Sequence, residues 1–188
     1  MDGHRGCVKG AVLDSRLAFL RSEGGNALVK QVVATLPEPD RDAIAVGFHP
    51  DEWYSFDLNA RLDLAIVKAL GKGDEIFKTL GVYSAMHNLG SVHREYVTKQ
   101  NPHGLLEEAA TIFRVYYDSG HREYTRVSDK SAALRTYDCR SFSVEDCLTV
   151  LGWHEKAIEL CGGKRARATE PICRAKGGAL CEYLCAWE

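Results

Sequence analysis

The stretch that decides the fold is residues 143–187, which reads SVEDCLTVLGWHEKAIELCGGKRARATEPICRAKGGALCEYLCAW and carries most of the cysteines of the chain. An S-x-x-D capping box at Ser143 predicts a helix that runs to Cys161, where two glycines follow. Residues 164–173 and 179–187 are short, compatible with β-structure and separated by a glycine-rich turn. This pattern predicts a β-hairpin, and the earlier part of the chain is expected to support it.

The register of this hairpin decides whether its two facing cysteines can share a site. A two-residue turn at Gly177-Gly178 puts Cys173 and Cys181 on opposite faces of the hairpin. A three-residue loop that begins at Lys176, with a glycine in the left-handed conformation, sets them directly opposite each other, with Cβ atoms about 5 Å apart. Only the three-residue loop lets both sulfurs reach one metal ion.

The cysteines also define a candidate metal site. Three cysteines and one further group match the four tetrahedral ligands of a structural zinc ion. Cys147 is predicted in the first turn of its helix, where the helix dipole and free N–H groups favour an acidic thiol. With Cys173, Cys181 and, as fourth ligand, Glu123 on a predicted strand, it forms the candidate site.

Distance excludes two neighbouring side chains from that site. His154 lies about 10 Å along the helix from Cys147, and Cys185 lies about 13 Å along the strand from Cys181. We therefore expect His154 to be a core residue. The alternative for the cysteines as a group is a reduced cluster in the core, without metal.

Composition limits the classes of function. The 188 residues are 45% hydrophobic and 27% charged, which is typical of one globular domain with its own core. A net charge of −2 gives no reason to expect a nucleic-acid partner. No apolar run approaches the roughly 20 residues that span a bilayer, and the amino terminus lacks the apolar stretch of a signal peptide. We therefore expect a cytoplasmic protein with reduced cysteines and no membrane span.

Periodicity divides this single predicted domain, residues 1–188, into a mainly helical part, residues 1–120, and a part with a sheet, one helix and the cysteine cluster, residues 121–188. Helices are predicted over residues 14–23, 26–36, 39–47, 57–70, 74–96 and 105–117. Gly81, inside the fifth of these, indicates close packing or a kink. Alternation over residues 121–127 and 132–137 predicts two strands. The fold class is therefore α+β, with amino-terminal helices packed on a four-stranded antiparallel sheet in the order strand, strand, helix, strand, strand.

Motifs of common enzymes are absent. The sequence has no P-loop, GxGxxG, GxSxG or HExxH motif, and a Cys147–His154 dyad fails on distance. No enzymatic function is therefore expected. His87 and His93 are candidates for binding haem or a ligand hydroxyl, although lone histidines beside residues such as Tyr83 are more often packed or on the surface.

Three motifs at the carboxy-terminal end resemble the closing signature of the 4-vinyl reductase domain, whose fold is shared with TRAPP vesicle-tethering subunits and with the sensor domains of phenol-responsive transcriptional activators. They are Cys147-x4-Gly152-Trp153, Cys173-Arg174-Ala175-Lys176-Gly177 and Cys181-Glu182-Tyr183. Residues 8–10 and 116–120 also resemble a bacterial family of free-standing proteins of unassigned function. In the phenol sensors the same cysteine spacing, with an upstream glutamate, holds a structural zinc. The resemblance thus assigns the three cysteines as ligands and places Glu123 near the glutamate, with Tyr124 or a water as alternatives.

The resemblance further implies a pocket between the helical part and the sheet that takes a small hydrophobic or aromatic molecule. The residues expected near it are Trp53, Tyr83, His87, Phe113 and Tyr117. The first hypothesis is thus a cytoplasmic sensory or regulatory module, homodimeric, whose ligand changes its contact with a signalling protein partner. The alternatives are an interaction scaffold of the TRAPP-subunit type without ligand and, less favoured, a tetrapyrrole-related reductase or accessory factor. A solid core beside the long helix would count against the first hypothesis.

Overall fold

The computed structural model describes residues 5–90, 94, 97 and 100–188, with the side chains at 109 and 110 left aside. The helices are α1 (Gly10–Val33), α2 (Glu38–Val46), α3 (Phe56–Leu70), α4 (Glu75–Gly90), α5 (Pro102–Glu107), α6 (Ala109–Tyr116) and α7 (Val144–Leu160). The strands are β1 (Cys7–Lys9), β2 (Trp53–Ser55), β3 (His121–Ser128), β4 (Ser131–Tyr137), β5 (Arg167–Ile172) and β6 (Cys181–Ala186).

The larger sheet matches the predicted architecture. Its four strands are antiparallel in the order β3-β4-β6-β5, so two hairpins lie side by side and α7 connects them. The predicted α+β class, with amino-terminal helices and a four-stranded antiparallel sheet, is confirmed. The smaller sheet, β1 with β2, was not predicted, because each strand has three residues and such short segments leave no periodic signal.

Local chemistry explains where the helices begin and end. The side chain of Ser143 accepts a hydrogen bond from the backbone N–H of Asp146, so the predicted cap of α7 is present. In α1 the predicted break between two helices is seen at Gly24 and Gly25, which have non-helical backbone angles inside one continuous run. Gly71, with φ of 64°, ends α3 in the left-handed conformation that glycine adopts without strain.

The crossing of α4 and α7 joins the two parts of the chain. A Cβ atom added to Gly81 would lie 1.9 Å from the carbonyl oxygen of Thr149, and one added to Gly152 would lie 2.0 Å from that of Lys78. Of the two explanations for Gly81, close packing is therefore the right one. Helix α7 contributes to both hydrophobic clusters, one built mainly on the helices and one under the sheet. That the chain is one domain stays a prediction.

Among the residues described, no helix combines the length and the apolar character that crossing a bilayer requires.

Candidate functional site

Four side chains near the amino-terminal end of α7 form the first candidate site, here called the thiol cluster: Cys147, Glu170, Cys173 and Cys181. One candidate ligand atom from each lies within 4.8 Å of those of the other three. The Sγ atom of Cys147 is 3.7 Å from that of Cys181 and 3.8 Å from that of Cys173. The backbone N–H of Arg174 donates to the Cys181 sulfur at 3.3 Å.

Protonation in the thiol cluster differs from the prediction for a helix amino terminus. The hydrogen bond to Cys181, together with burial, raises the pKa of the Cys147 thiol, so the prediction that Cys147 is acidic is wrong. The interaction with Cys147 lowers the pKa of Cys181, and the backbone N–H of Arg174 donates to the Cys181 sulfur as well. Burial raises the pKa of Cys173. The sulfur placed to carry negative charge is therefore that of Cys181.

The hairpin brings Cys173 and Cys181 together by a route that neither predicted turn describes. The last strand pair is Ile172 with Glu182, and the longer connection contains a short 3₁₀ turn at Arg174–Lys176. The carbonyl oxygen of Cys173 accepts hydrogen bonds from the N–H groups of Lys176 and Gly178. These bonds fold the chain back, so the sulfurs approach without a cross-strand pair.

Glu123 does not lie with the cysteines. It is on β3, at the opposite edge of the sheet from β5, and its exposed carboxylate approaches His121. Glu170 on β5 supplies the carboxylate of the cluster instead, and its Oε1 is buried without a hydrogen-bond partner among the described residues. His154 is fully buried in the core, as predicted.

A cavity between α1, α4, α6, β3 and α7 forms the second candidate site, here called the arginine cavity. Its volume is about 60 Å³. Its lining residues are Val12, Arg16, Ser84, Asn88, Ile112, Phe113, Tyr116, Tyr117, Arg122, Thr149, Val150 and Trp153. A smaller cavity of about 20 Å³ adjoins it and shares Phe113, Tyr117, Arg122 and Val150. The smaller cavity extends toward Cys147 and Cys181, so Arg122 lies between the two candidate sites.

The charged groups around the arginine cavity are buried. Arg16 on α1 donates two hydrogen bonds to the carboxylate of Asp63 on α3, at 3.1 and 3.4 Å. Burial alone would lower the pKa of Arg16, but the charge of Asp63 and these bonds outweigh it, so the pKa lies above its ordinary value. Asp146 accepts the hydroxyl of Tyr117 at 3.1 Å, and burial raises the pKa of Asp146 to about 7.

Two of the five predicted pocket residues, Phe113 and Tyr117, line the arginine cavity and stack on each other with ring centroids 4.9 Å apart. The other three lie elsewhere. Tyr83 and His87 stack on each other on α4, and Trp53 on β2 is 44% exposed beneath the ammonium group of Lys9. His93 lies outside the described residues.

Sequence reasoning missed Arg16, Arg122 and Asp146. For Arg16 a signal was present, because a charged residue interrupts the stripe of Leu13, Leu17 and Leu20 on one face of α1. Asp146 was assigned only to the helix cap. Nothing in the sequence near Arg122 distinguishes it from a solvated strand residue.

A scan of protein-family models and a search of curated proteins give no significant match. The comparison with solved structures gives significant matches. An H-NOX protein from S. oneidensis in the Fe(II)NO ligation state has a TM-score of 0.72 at 12% identity, over 96% of this chain and 99% of that one. An oxygen-binding H-NOX domain related to soluble guanylate cyclases, in its oxygen complex, has a TM-score of 0.71 at 15% identity, over 96% and 95%. An Fe(II) unliganded H-NOX mutant from K. algicida has a TM-score of 0.71 at 13% identity, over 96% of each chain. The chain therefore has the H-NOX fold.

These neighbours correct two predictions. The resemblance to the 4-vinyl reductase domain and TRAPP subunits is wrong, because the structural neighbours are H-NOX domains. The prediction of zinc as the cofactor is also wrong, because the neighbours whose descriptions name a cofactor name haem. The ligand role of the three cysteines stays a prediction.

The same neighbours agree with two coarser predictions. They are described by their ligation states and oxygen binding, in keeping with the predictions that the chain is not an enzyme and that it binds a small ligand. The homodimer and the cytoplasmic location stay predictions.

Proposed function

We propose that the chain is a non-enzymatic, ligand-responsive regulatory module whose ligand lies in the arginine cavity. Placement supports this proposal. The cavity borders α4, and its walls come from α1, α4 and α6 on one side and from β3 and α7 on the other. A molecule in it contacts the helical part and the sheet part at once, so its binding favours one packing of the two parts over another. A signalling partner that contacts both parts would detect that change.

The cavity also separates this proposal from an interaction scaffold without ligand. A scaffold needs only a well-packed interior and a surface, whereas here a cavity lined in part by buried polar groups lies beside the long helix. Interiors are normally packed without such voids. The scaffold and the tetrapyrrole-related reductase both rest on the resemblance that the structure corrects, and neither is proposed.

The structural neighbours suggest a finer version, a haem group that binds a diatomic gas, and the described residues test it. Haem iron in proteins is held by His, Cys, Met or Tyr. The lining of the arginine cavity contains no His, Cys or Met among the described residues. Its two tyrosines are Tyr116 and Tyr117, and the hydroxyl of Tyr117 is already bound to Asp146.

The size of the cavity also argues against haem. The cavity of about 60 Å³ has room for about four to six water molecules at roughly 10–15 Å³ each. A cavity of about 150 Å³ is known to accept benzene, and a porphyrin is several times larger than benzene. The described residues that line the arginine cavity therefore do not fit haem. The proposal is instead a small molecule that the protein binds directly.

Two measurements on the purified chain test this function. Haem added under reducing conditions is expected to give no stoichiometric Soret band. A screen of small molecules is expected to find compounds that raise the melting temperature of the wild type, because a ligand that binds only the folded state stabilises it. The same compounds should have little effect on Val150→Leu, whose larger side chain narrows the cavity. A stoichiometric haem complex, or stabilisation that is equal in both proteins, would overturn the proposal.

A further inference from the structure

Arg122 is the charged group of the arginine cavity that lacks a hydrogen-bonded carboxylate. It lies on β3, is about nine-tenths buried and lines both the larger and the smaller cavity. Its Nε donates to the hydroxyl of Thr136 at 2.9 Å, and its Nη1 donates to Nε2 of His154 at 3.4 Å. Its Cζ lies over the rings of Phe113 and Tyr183, 4.8 and 5.5 Å from their centroids. Both hydrogen-bond acceptors are neutral groups.

His154 cannot supply a compensating negative charge. Since a guanidinium only donates, Nε2 of His154 accepts and Nδ1 carries the proton. That Nδ1 is buried without a hydrogen-bond partner among the described residues. Burial and the charge of Arg122 lower the pKa of His154 well below its ordinary value, so the ring stays neutral.

The buried carboxylates nearby are engaged elsewhere. Asp63 holds Arg16. Asp146 borders the smaller cavity and is close enough to feel the charge of Arg122, but its hydrogen bonds come from the hydroxyl of Tyr117 and not from the guanidinium. Within the described part of the chain, no carboxylate oxygen lies within 4 Å of the Arg122 guanidinium. Arginine stays charged in proteins, and a buried charge is normally paired. Arg122 is therefore an incomplete ion pair that faces a cavity.

The rest of the lining limits the size and polarity of the missing partner. Ile112, Phe113, Val150 and Trp153 give the larger cavity an apolar wall. Its volume corresponds to about four to six non-hydrogen atoms if each replaces one water molecule. A carboxylate accepts two parallel hydrogen bonds from a guanidinium, which makes it the common partner of a buried arginine.

From these observations we infer that the arginine cavity takes a short-chain carboxylate of about three or four carbon atoms, whose carboxylate pairs with Arg122 and whose chain packs on the apolar wall. This inference rests on the proposed function, because it assigns a chemical class to the same cavity. Arg122 then supplies charge selectivity, and the apolar wall together with the volume supplies the limit on length.

Three probes of equal length and different charge test the inference: butyrate, butyramide and butylamine. Binding is measured by calorimetry and by the fluorescence of Trp153, which lines the cavity, with Trp153→Phe to identify its signal. Butyrate is expected to bind at least about tenfold more tightly than butyramide, the usual difference for a hydrogen bond that gains a charge, and butylamine is expected not to bind.

Two variants make the test specific to Arg122. Arg122→Met keeps the length of the side chain without the charge and should abolish the preference for butyrate, whereas Arg122→Lys should keep part of it. Arg126→Met is the matched control, because Arg126 is on the same strand but is exposed and pairs with Asp129; it should bind butyrate like the wild type. Circular dichroism establishes that each variant is folded.

Other outcomes separate the inference from the proposed function. Equal affinity for butyrate and butyramide, both weakened by Val150→Leu, would overturn the charge assignment and leave the cavity as a ligand site. Failure of all three probes to bind the wild type would overturn the carboxylate inference, and the compound screen alone would then decide the proposed function. Retention of full butyrate affinity by Arg122→Met would overturn the role of Arg122.

Discussion

The thiol cluster and the arginine cavity both lie against α7, but their residues come from very different distances along the chain. The thiol cluster draws on positions 147–181, which one helix and one hairpin bring together. The arginine cavity draws on positions 12–153, from four helices and β3. A local site can leave a spacing in the sequence, whereas a site assembled from distant elements leaves none.

The two sites also differ in the forces that hold them. The thiol cluster contains weakly polar sulfurs in contact at 3.7 and 3.8 Å. The arginine cavity contains fully charged groups that are buried away from water. Their burial costs free energy unless each charge is paired. The larger energetic effects are therefore expected at the cavity, although the cysteines give the clearer signal in the sequence.

The strongest test of this contrast is Asp63→Asn, which leaves the Arg16 guanidinium buried without its carboxylate. We expect the free energy of unfolding to fall by about 3–5 kcal/mol, the usual loss when one partner of a buried ion pair is removed. Urea unfolding measures it. The double variant Arg16→Met with Asp63→Leu removes both charges and should recover much of the loss.

An exposed ion pair provides the control for Asp63→Asn. Arg165 and Glu188 are 3.0 Å apart and both are largely exposed, so Arg165→Met should leave the unfolding free energy nearly unchanged. A similar loss for Arg165→Met and Asp63→Asn would remove the energetic contrast between buried and exposed charges on which the comparison depends.

The next effect is a pH dependence at Asp146, whose pKa burial raises to about 7. Between about pH 4 and pH 7 the folded protein keeps this proton and the unfolded chain has lost it, so unfolding releases a proton and stability falls as pH rises through this window. Asp146→Asn stays neutral. Its stability relative to the wild type should therefore rise by up to about 4 kcal/mol from pH 4 to pH 7 and then level off.

Other buried groups titrate in the same range, and for that reason the difference between the two proteins is the quantity to measure. His154, with its lowered pKa, makes stability rise with pH up to about 6.5, but it is present in both. The groups that face Asp146 are also the same in both proteins, namely Arg16, Asp63, Tyr117 and Arg122. Asp129→Asn, at a carboxylate that is 92% exposed, is the control and should change the free energy of unfolding only slightly. A flat difference for Asp146→Asn would show that Asp146 is ionised throughout.

Much of the fold could be predicted because its signals are local. The Ser143 cap, the stop at Gly71 and the alternation in β3 and β4 each occupy a few neighbouring residues. The register near Cys173 could not be predicted, because a 3₁₀ turn takes the place of a regular hairpin loop. The carbonyl of Cys173, just before this turn, accepts two backbone N–H groups. The fold family was also out of reach, since the structural neighbours share only 12–15% sequence identity with this chain.

The two candidate sites differ in the same way, because only the residues that lie close together in the sequence could be grouped in advance. Three cysteines within one helix and one hairpin could be proposed as a cluster from the sequence, on the condition of a three-residue hairpin loop. Glu123 was predicted in place of Glu170 because the order of the strands in the sheet decides which carboxylate lies near the cysteines. The sequence of a single strand does not reveal that order. Arg16 and Arg122 could not be paired with a cavity, because only the tertiary packing of α1 against β3 and α7 creates it.

The crossing of α4 and α7 tests whether both sites depend on one scaffold. Gly81→Ala places a Cβ atom against the Thr149 carbonyl, which a helix backbone cannot avoid without shifting. A loss of about 3 kcal/mol is expected, with weaker ligand binding in the cavity, since Thr149 lines it. Gly90→Ala on the same helix is the control, because its Cβ meets nothing within 4 Å; it should be neutral or stabilising by up to about 1 kcal/mol. Equal effects at the two glycines would contradict the close crossing.

The smallest effect is expected in the thiol cluster. Cys173→Ser exchanges a buried sulfur for a hydroxyl while the backbone bonds of the turn, from Lys176 and Gly178 to the Cys173 carbonyl, remain. We expect a loss of about 1 kcal/mol, equal with and without a metal chelator, because sulfur contacts and burial hold the cluster. Metal analysis of the wild type, purified under reducing conditions, accompanies the measurement. A loss that appears only when metal is present, with one metal ion per chain, would instead make the thiol cluster a coordination site and reverse the ranking of the two regions, since removal of a structural metal ligand unfolds small metal-dependent units.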